Sequence, residues 1–138
     1  MMRITIFISM LLVSVTVSAQ GKNPIQDMVL LSENLKTCTP YAYDFIHPES
    51  GDVLQRTIKG EVGGKCLYVE GMPDGDEMSC LFASETAGVV AEYYERLALS
   101  RANVKTNVEQ AVSTINENPL EKALEDGTCT VKGDEQKQ

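Results

Sequence analysis

A single histidine among 138 residues removes most of the common hydrolytic constellations at once. A Ser-His-Asp or Cys-His centre would have to be built on His47, which stands beside Pro48 and close to Asp44, Ser50 and Asp52, the short polar residues that a turn also requires. His47 therefore reads as a structural turn residue. Cations are scarce as well. Twelve Lys and Arg face twenty Asp and Glu, a formal net charge of -8, and because nucleic-acid affinity comes largely from cations that displace counterions, no nucleic-acid partner is expected. No Cys-x-x-Cys occurs, which argues against a thioredoxin-like redox motif and a zinc knuckle. The stretch from Gly60 to Cys66 lacks the Gly-x-x-x-x-Gly-Lys-Ser/Thr spacing of a phosphate loop. Asp74, Asp76 and Glu77 offer far fewer oxygens than a calcium loop needs, and no spacing selects a pair of carboxylates for glycoside hydrolysis. The expectation is a protein without a catalytic residue, cofactor site or metal site.

What is present begins with an export signal. Met1 to Arg3 supplies a positive start, Ile4 to Val15 an apolar and hydroxylic run, and Val17-Ser18-Ala19 the small-residue pattern of a cleavage site. The run is short of the ~20 residues that span a bilayer. Residues 1–19 thus read as a cleaved signal peptide, leaving residues 20–131 as one small domain and 132–138 as a polar, frayed tail. No membrane insertion is expected after cleavage, and the destination is periplasmic or secreted. Four cysteines, Cys38, Cys66, Cys80 and Cys129, fit that oxidising compartment and read as two disulfides with three connectivities open.

Within the domain, Asn23-Pro24-Ile25-Gln26 has a capping amide, Pro at the first helical position and Gln three residues after the cap. Ile25, Met28, Leu31 and Leu35 continue as one apolar stripe up to Thr37-Cys38-Thr39-Pro40. From Tyr41 the period becomes two. Strands are expected from Tyr41, over Val53 to Val62, after Gly63-Gly64, and over Glu77 to Ala83. A tight turn at the two glycines would set Val62 against Lys65, Gly60 against Leu67 and Ile58 against Val69. Cys66 and Cys80 then fall on neighbouring strands, either opposite each other or on a diagonal too long for a disulfide. The first case pairs Cys66 with Cys80 and leaves Cys38 to Cys129.

Ser84 opens a long helix over about 84–117, with Val90, Tyr94, Leu97, Arg101, Val104, Val108, Ala111 and Ile115 at near-heptad steps. At ~1.5 Å per residue it would reach about 50 Å, against roughly 35 Å for a compact domain of this size, so it either breaks near 100–103 or protrudes and pairs with a second copy. Asn118-Pro119 starts a short helix ending before Gly127. The fold class is α+β: a four-stranded antiparallel meander flanked by an N-terminal helix and a long C-terminal helix, stapled by disulfides. Which sheet face the helices cover stays open, since Ile58, Leu67, Val69 and Leu81 compete with Cys66, Tyr68, Cys80 and Phe82.

Cys38-x-Pro40-Tyr41, His47-Pro48, Ile58-x-Gly60, Gly64-Lys65-Cys66-x-Tyr68, Met72-Pro73 and Met78-x-Cys80 together resemble small exported bacterial proteins of uncharacterised function. The resemblance covers residues 38 to about 95. It implies export and a cysteine-bearing sheet, and carries over no catalytic or binding residue. The expected function is a noncatalytic protein-binding module, with Tyr41, Tyr43, Phe45, Tyr94 and Arg101 as the candidate interaction surface and a partner that complements an acidic chain. The alternatives are an assembly subunit that forms a homodimer through the long helix, and a small exported hydrolase or redox protein.

Overall fold

A computed structural model describes residues 23–103 and 117–133. The expected signal peptide, the 104–116 part of the expected long helix and residues 134–138 of the expected tail lie outside the described residues. Helix α1, Pro24–Thr37, starts as its sequence dictates: the Asn23 side chain accepts from the Ile25 and Gln26 amides at 3.1 and 3.4 Å, and Pro24 needs no donor partner. It ends at Cys38, which turns into the left-handed region at φ 52 while the Thr39 amide reaches back to the Asn34 carbonyl at 2.9 Å. Met28, Leu31 and Leu35 bury the stripe between these two caps.

Strands β1 (Tyr41–Ile46), β2 (Val53–Val62), β3 (Lys65–Gly71) and β4 (Glu77–Phe82) form the expected antiparallel meander. Helix α2, Ser84–Asn103, returns across it, and the choice between a break near 100–103 and a protruding arm falls on residues outside the described ones. A short helix α3, Pro119–Glu125, is capped by the Asn118 side chain, which accepts from the Leu120 amide. The chain then adds a fifth strand, β5 (Cys129–Lys132), antiparallel to β4, giving the order β1-β2-β3-β4-β5. The four-stranded expectation and the α-β4-α element order are corrected accordingly. Lys132, placed at the start of a frayed tail, is opposite Glu77 in the sheet.

Register decides everything else. The turn at Gly63 and Gly64 has φ 58 and 77, the pair of positive values that the favoured two-residue hairpin demands. Val62 faces Lys65 and Gly60 faces Leu67 as expected, but a bulge at Lys59 then sets Ile58 opposite Tyr68, not Val69. Gly60, at φ 111, supplies the backbone freedom for that extra residue. Ile58 is thereby moved to the face of Cys66 and Tyr68. On β4, Cys80 is opposite Tyr68 and Phe82 opposite Cys66, so Cys66 and Cys80 lie on a diagonal. The disulfides are Cys38–Cys66 and Cys80–Cys129, which corrects the pairing of Cys66 with Cys80 and Cys38 with Cys129. One ties the end of α1 to β3; the other ties β4 to β5 between directly opposed residues. Closing loops of 28 and 49 residues stabilises the fold by about 3.6 and 4.1 kcal/mol in the chain-entropy treatment.

The core lies wholly on one side of the sheet. Ile58, Cys66, Tyr68, Met78, Cys80, Phe82 and Cys129 are buried against Met28, Leu31 and Leu35 of α1 and Ala87, Val90, Ala91, Tyr94 and Ala98 of α2. The alanines of α2 and Ser32 of α1 keep the two helices close, at the cost of leaving the buried Ser32 hydroxyl without a hydrogen bond. Val90 and Tyr94, expected in a self-association seam, are consumed here, and Leu97 packs against the same core. The remaining seam positions, Val104, Val108, Ala111 and Ile115, lie outside the described residues. Among the described residues no helix is long and apolar enough to cross a membrane.

Candidate functional site

Strand alternation sends β1 residues Tyr41, Tyr43 and Phe45 to the helix-covered face, together with Arg56 of β2 and Glu70 of β3. They meet in a polar cluster. Arg56 donates to the Tyr43 hydroxyl at 2.7 Å, and its guanidinium carbon lies 3.9 Å from the centre of the Phe45 ring and 5.0 Å from that of Tyr94. Its Nε is 3.4 Å from Glu70 Oε2, an ion pair whose N–H is not aligned as a hydrogen bond. Tyr68 donates to the same oxygen at 2.6 Å. The Tyr94 hydroxyl is 3.1 Å from it and 2.9 Å from the Tyr68 hydroxyl. Two hydroxyl hydrogens thus serve three short contacts around one carboxylate oxygen.

Burial dominates the electrostatics of the cluster. Burial raises the Tyr68 and Tyr94 hydroxyls well above the ordinary phenol range, with the nearby carboxylate adding to the effect, so both keep their protons. Burial also raises Tyr43, against the lowering pull of Arg56. Burial opposes the charge on Arg56, but Tyr94 and Glu70 outweigh it and the guanidinium is held above its ordinary value. Tyr41 is pushed up to about 12 by desolvation and by its hydrogen bond to Asp27 at 3.1 Å. A nucleophile or general base must be free to lose or accept a proton at a reachable atom. Here the carboxylate is engaged by three partners and the Tyr68 and Tyr94 hydroxyls keep their protons, so what the arrangement shows is packing and pairing.

The expected interaction surface is corrected by the same geometry. Tyr43 and Tyr94 are buried, Tyr41 and Phe45 are half-buried against the core, and only Arg101, in the last turn of α2, is exposed. The β1 aromatics face inward by strand alternation, where Tyr43 and Phe45 lie against Arg56 and Tyr41 bonds to Asp27. His47 holds the β1–β2 turn, its Nδ1 accepting from the Ser50 amide at 3.2 Å. All four cysteines are in disulfides. Among the described residues no group of His, Cys, Asp and Glu is arranged to hold a metal. A groove of about 770 Å³ between α2 and α3 is lined by Val89, Glu92, Tyr93, Arg96, Glu121 and Lys122 among others. Its linings are exposed or half-buried, and Glu92 is already paired with Arg96 at 3.3 Å.

The opposite sheet face is the surface with something to offer. Leu67 and Leu81 are direct cross-strand partners and Val69 follows on β3, so the three side chains are contiguous. Leu81 is 43% exposed, and Val62, at the end of the same face, 53%. Ala42, Thr57, Val69, Ser79 and Thr130 form a low row across all five strands. Ile46 and Val53 extend the exposed apolar surface at the far end. Leu67, Val69 and Leu81 were legible as one face of the sheet, but nothing in the period told which face the helices would leave bare.

Fold and site together define a class: a small α+β domain, stapled by two disulfides, with its described helices on one face of a five-stranded antiparallel sheet. Comparison with protein-family models, with curated proteins and with solved structures finds no match.

Proposed function

We propose that the protein is an exported, noncatalytic protein-binding module that docks its partner on the open face of the sheet. The observation that carries this reading is the contiguous Leu67, Val69 and Leu81 surface, Leu81 exposed and the other two half-buried, on the side of the sheet away from α1 and α2. Contiguous exposed apolar surface is costly to keep in water and marks interaction sites, unlike the same residues scattered singly. Export is supported by the leader pattern of residues 1–19, by the resemblance of residues 38 to about 95 to exported bacterial proteins, and by two disulfides, which persist in an oxidising periplasmic or extracellular compartment. The face carries Lys59, Lys65 and Lys132 against Asp44 and Glu77. Apolar contact therefore selects the partner, and the basic partner suggested by net charge is not required here.

The test is affinity capture of the tagged mature chain from its native compartment, side by side with the Leu67→Lys/Leu81→Lys variant. Partners, untagged copies of the chain included, should be recovered with the wild-type protein and lost with a variant that melts at the same temperature. Recovery of the same set with both proteins would refute the open face as the docking surface.

A further inference from the structure

Resting on the reading of the open face as a docking surface, we infer that its occupant is a second copy of this chain, packed sheet to sheet with the strand directions of the two sheets reversed. Charge distribution makes the case. The chain carries a net charge of -8, so two copies repel over most of their surfaces. The exposed helical side carries Glu33, Glu85, Glu92 and Glu95 against Lys36, Arg96 and Arg101, and Lys36 and Arg96 are already paired, with Glu95 at 3.1 Å and Glu92 at 3.3 Å. The open sheet face is different: its three lysines outnumber Asp44 and Glu77.

The face also has two unlike ends. Lys59 and Lys65 stand at the end of the β2–β3 turn, flanking Val62. The β1–β2 and β3–β4 turns both lie at the other end and carry Glu49 and Asp52, and Asp74 and Asp76; with Asp44 and Glu77 in the adjoining row, this end is acidic even though Lys132 also stands there, opposite Glu77. A two-fold axis parallel to the sheet and across its strands lays the basic end of each copy over the acidic end of the other, and sets Leu67, Val69 and Leu81 at the centre against the same residues of the second copy. The low row of Ala42, Thr57, Ser79 and Thr130 lets the sheets reach the ~10 Å spacing of packed β layers. Five strands at ~4.8 Å and about six residues at ~3.4 Å give roughly 500 Å² per copy, or about 1,000 Å² in all, below the range of permanent complexes. The dimer is therefore one that forms at high concentration and dissociates on dilution.

Sedimentation equilibrium of the mature chain across roughly 10 µM to 1 mM should show a reversible monomer–dimer equilibrium. Lys59→Glu/Lys65→Glu should remove it by at least about tenfold in dissociation constant without changing the melting temperature, as both lysines are exposed. Glu49→Lys/Asp52→Lys should weaken it in the same way, and mixing the two variants should restore a heterodimer. That restoration is a readout that a folding defect cannot produce. A chain that stays monomeric at 1 mM overturns the inference; if partner capture still depends on Leu67 and Leu81, the docking surface itself survives. A dimer that is indifferent to the lysine pair and to Leu67→Lys/Leu81→Lys overturns the inference, and the docking surface then stands or falls with partner capture alone.

Discussion

Leu81 and Phe82 are neighbours in sequence and belong to different molecules, chemically speaking. Phe82 is fully enclosed under α1 and α2, while Leu81 keeps 43% of its surface in water. The same alternation separates Tyr68 from Leu67 and Cys80 from Ser79. One face of the sheet holds the described helices, both disulfides and a cluster of charged and phenolic groups; the other holds small and aliphatic side chains flanked by lysines and carboxylates. Stability is concentrated on the first face because apolar area is removed from water there and polar groups are paired. The second is free to change its contacts without endangering the fold, which is what a binding surface requires.

Alkaline pH should act on one side of this division alone, with the largest effect. All five tyrosines, Tyr41, Tyr43, Tyr68, Tyr93 and Tyr94, belong to the helix-covered half, and burial raises each of them above the ordinary value. The unfolded chain therefore loses its phenolic protons first. The stabilisation is fully present below about pH 10 and is lost as pH rises above it, with Tyr41 titrating only at about 12. Tyrosinate absorbance should appear cooperatively together with loss of helical circular dichroism. Five tyrosines titrating near 10 while the fold persists would show that the covered face is not closed.

Paired truncations sharpen the contrast. Phe82→Ala removes a fully buried ring and should cost about 3–5 kcal/mol, whereas Leu81→Ala, one residue away, should cost under about 1 kcal/mol. Urea unfolding of both variants measures the difference directly. Equal costs would mean that the second face is covered too.

Much of this division could be read from the residues, and the part that could not has definite causes. Asn23-Pro24 and the Met28, Leu31, Leu35 stripe announce α1, and Gly63-Gly64 announces the hairpin, because caps and two-residue turns are local chemistry. The bulge at Lys59 has no local signature beyond Gly60, and one inserted residue reverses the facing of Ile58. Disulfide connectivity followed from the β3–β4 register, which the Met72 to Asp76 turn left uncertain by about two residues, the distance between an opposed pair and a diagonal one. Four residues of β5 are too few to show a period; what fixes them is Cys129 bonded to Cys80 and Val131 packed on the core. The polar cluster was overlooked although its signal was present. Arg56 stands two residues before Ile58, and Glu70 two after Tyr68, both on inward positions where a charge must find a partner.

That pair supplies the smallest and most discriminating test of the covered face. Glu70→Gln keeps the shape and one acceptor oxygen for the Tyr68 and Tyr94 hydroxyls but removes the charge opposite Arg56. A fully enclosed cation left alone would cost about 3–5 kcal/mol. Arg56 and Glu70 keep 14% and 16% of their side-chain surfaces in water, and the Tyr43, Phe45 and Tyr94 rings still face the guanidinium. Solvent and ring contacts therefore reduce the expected loss to about 1–2 kcal/mol. Adding Arg56→Met to Glu70→Gln should recover most of it, because the cost lies in an unpartnered charge and not in the missing attraction, and the amide oxygen at position 70 still accepts from the Tyr68 and Tyr94 hydroxyls. Recovery in the double variant, measured as the coupling in a double-mutant cycle, assigns the cluster to packing. Additive losses would instead mean that each residue makes a separate contribution that the paired geometry does not explain.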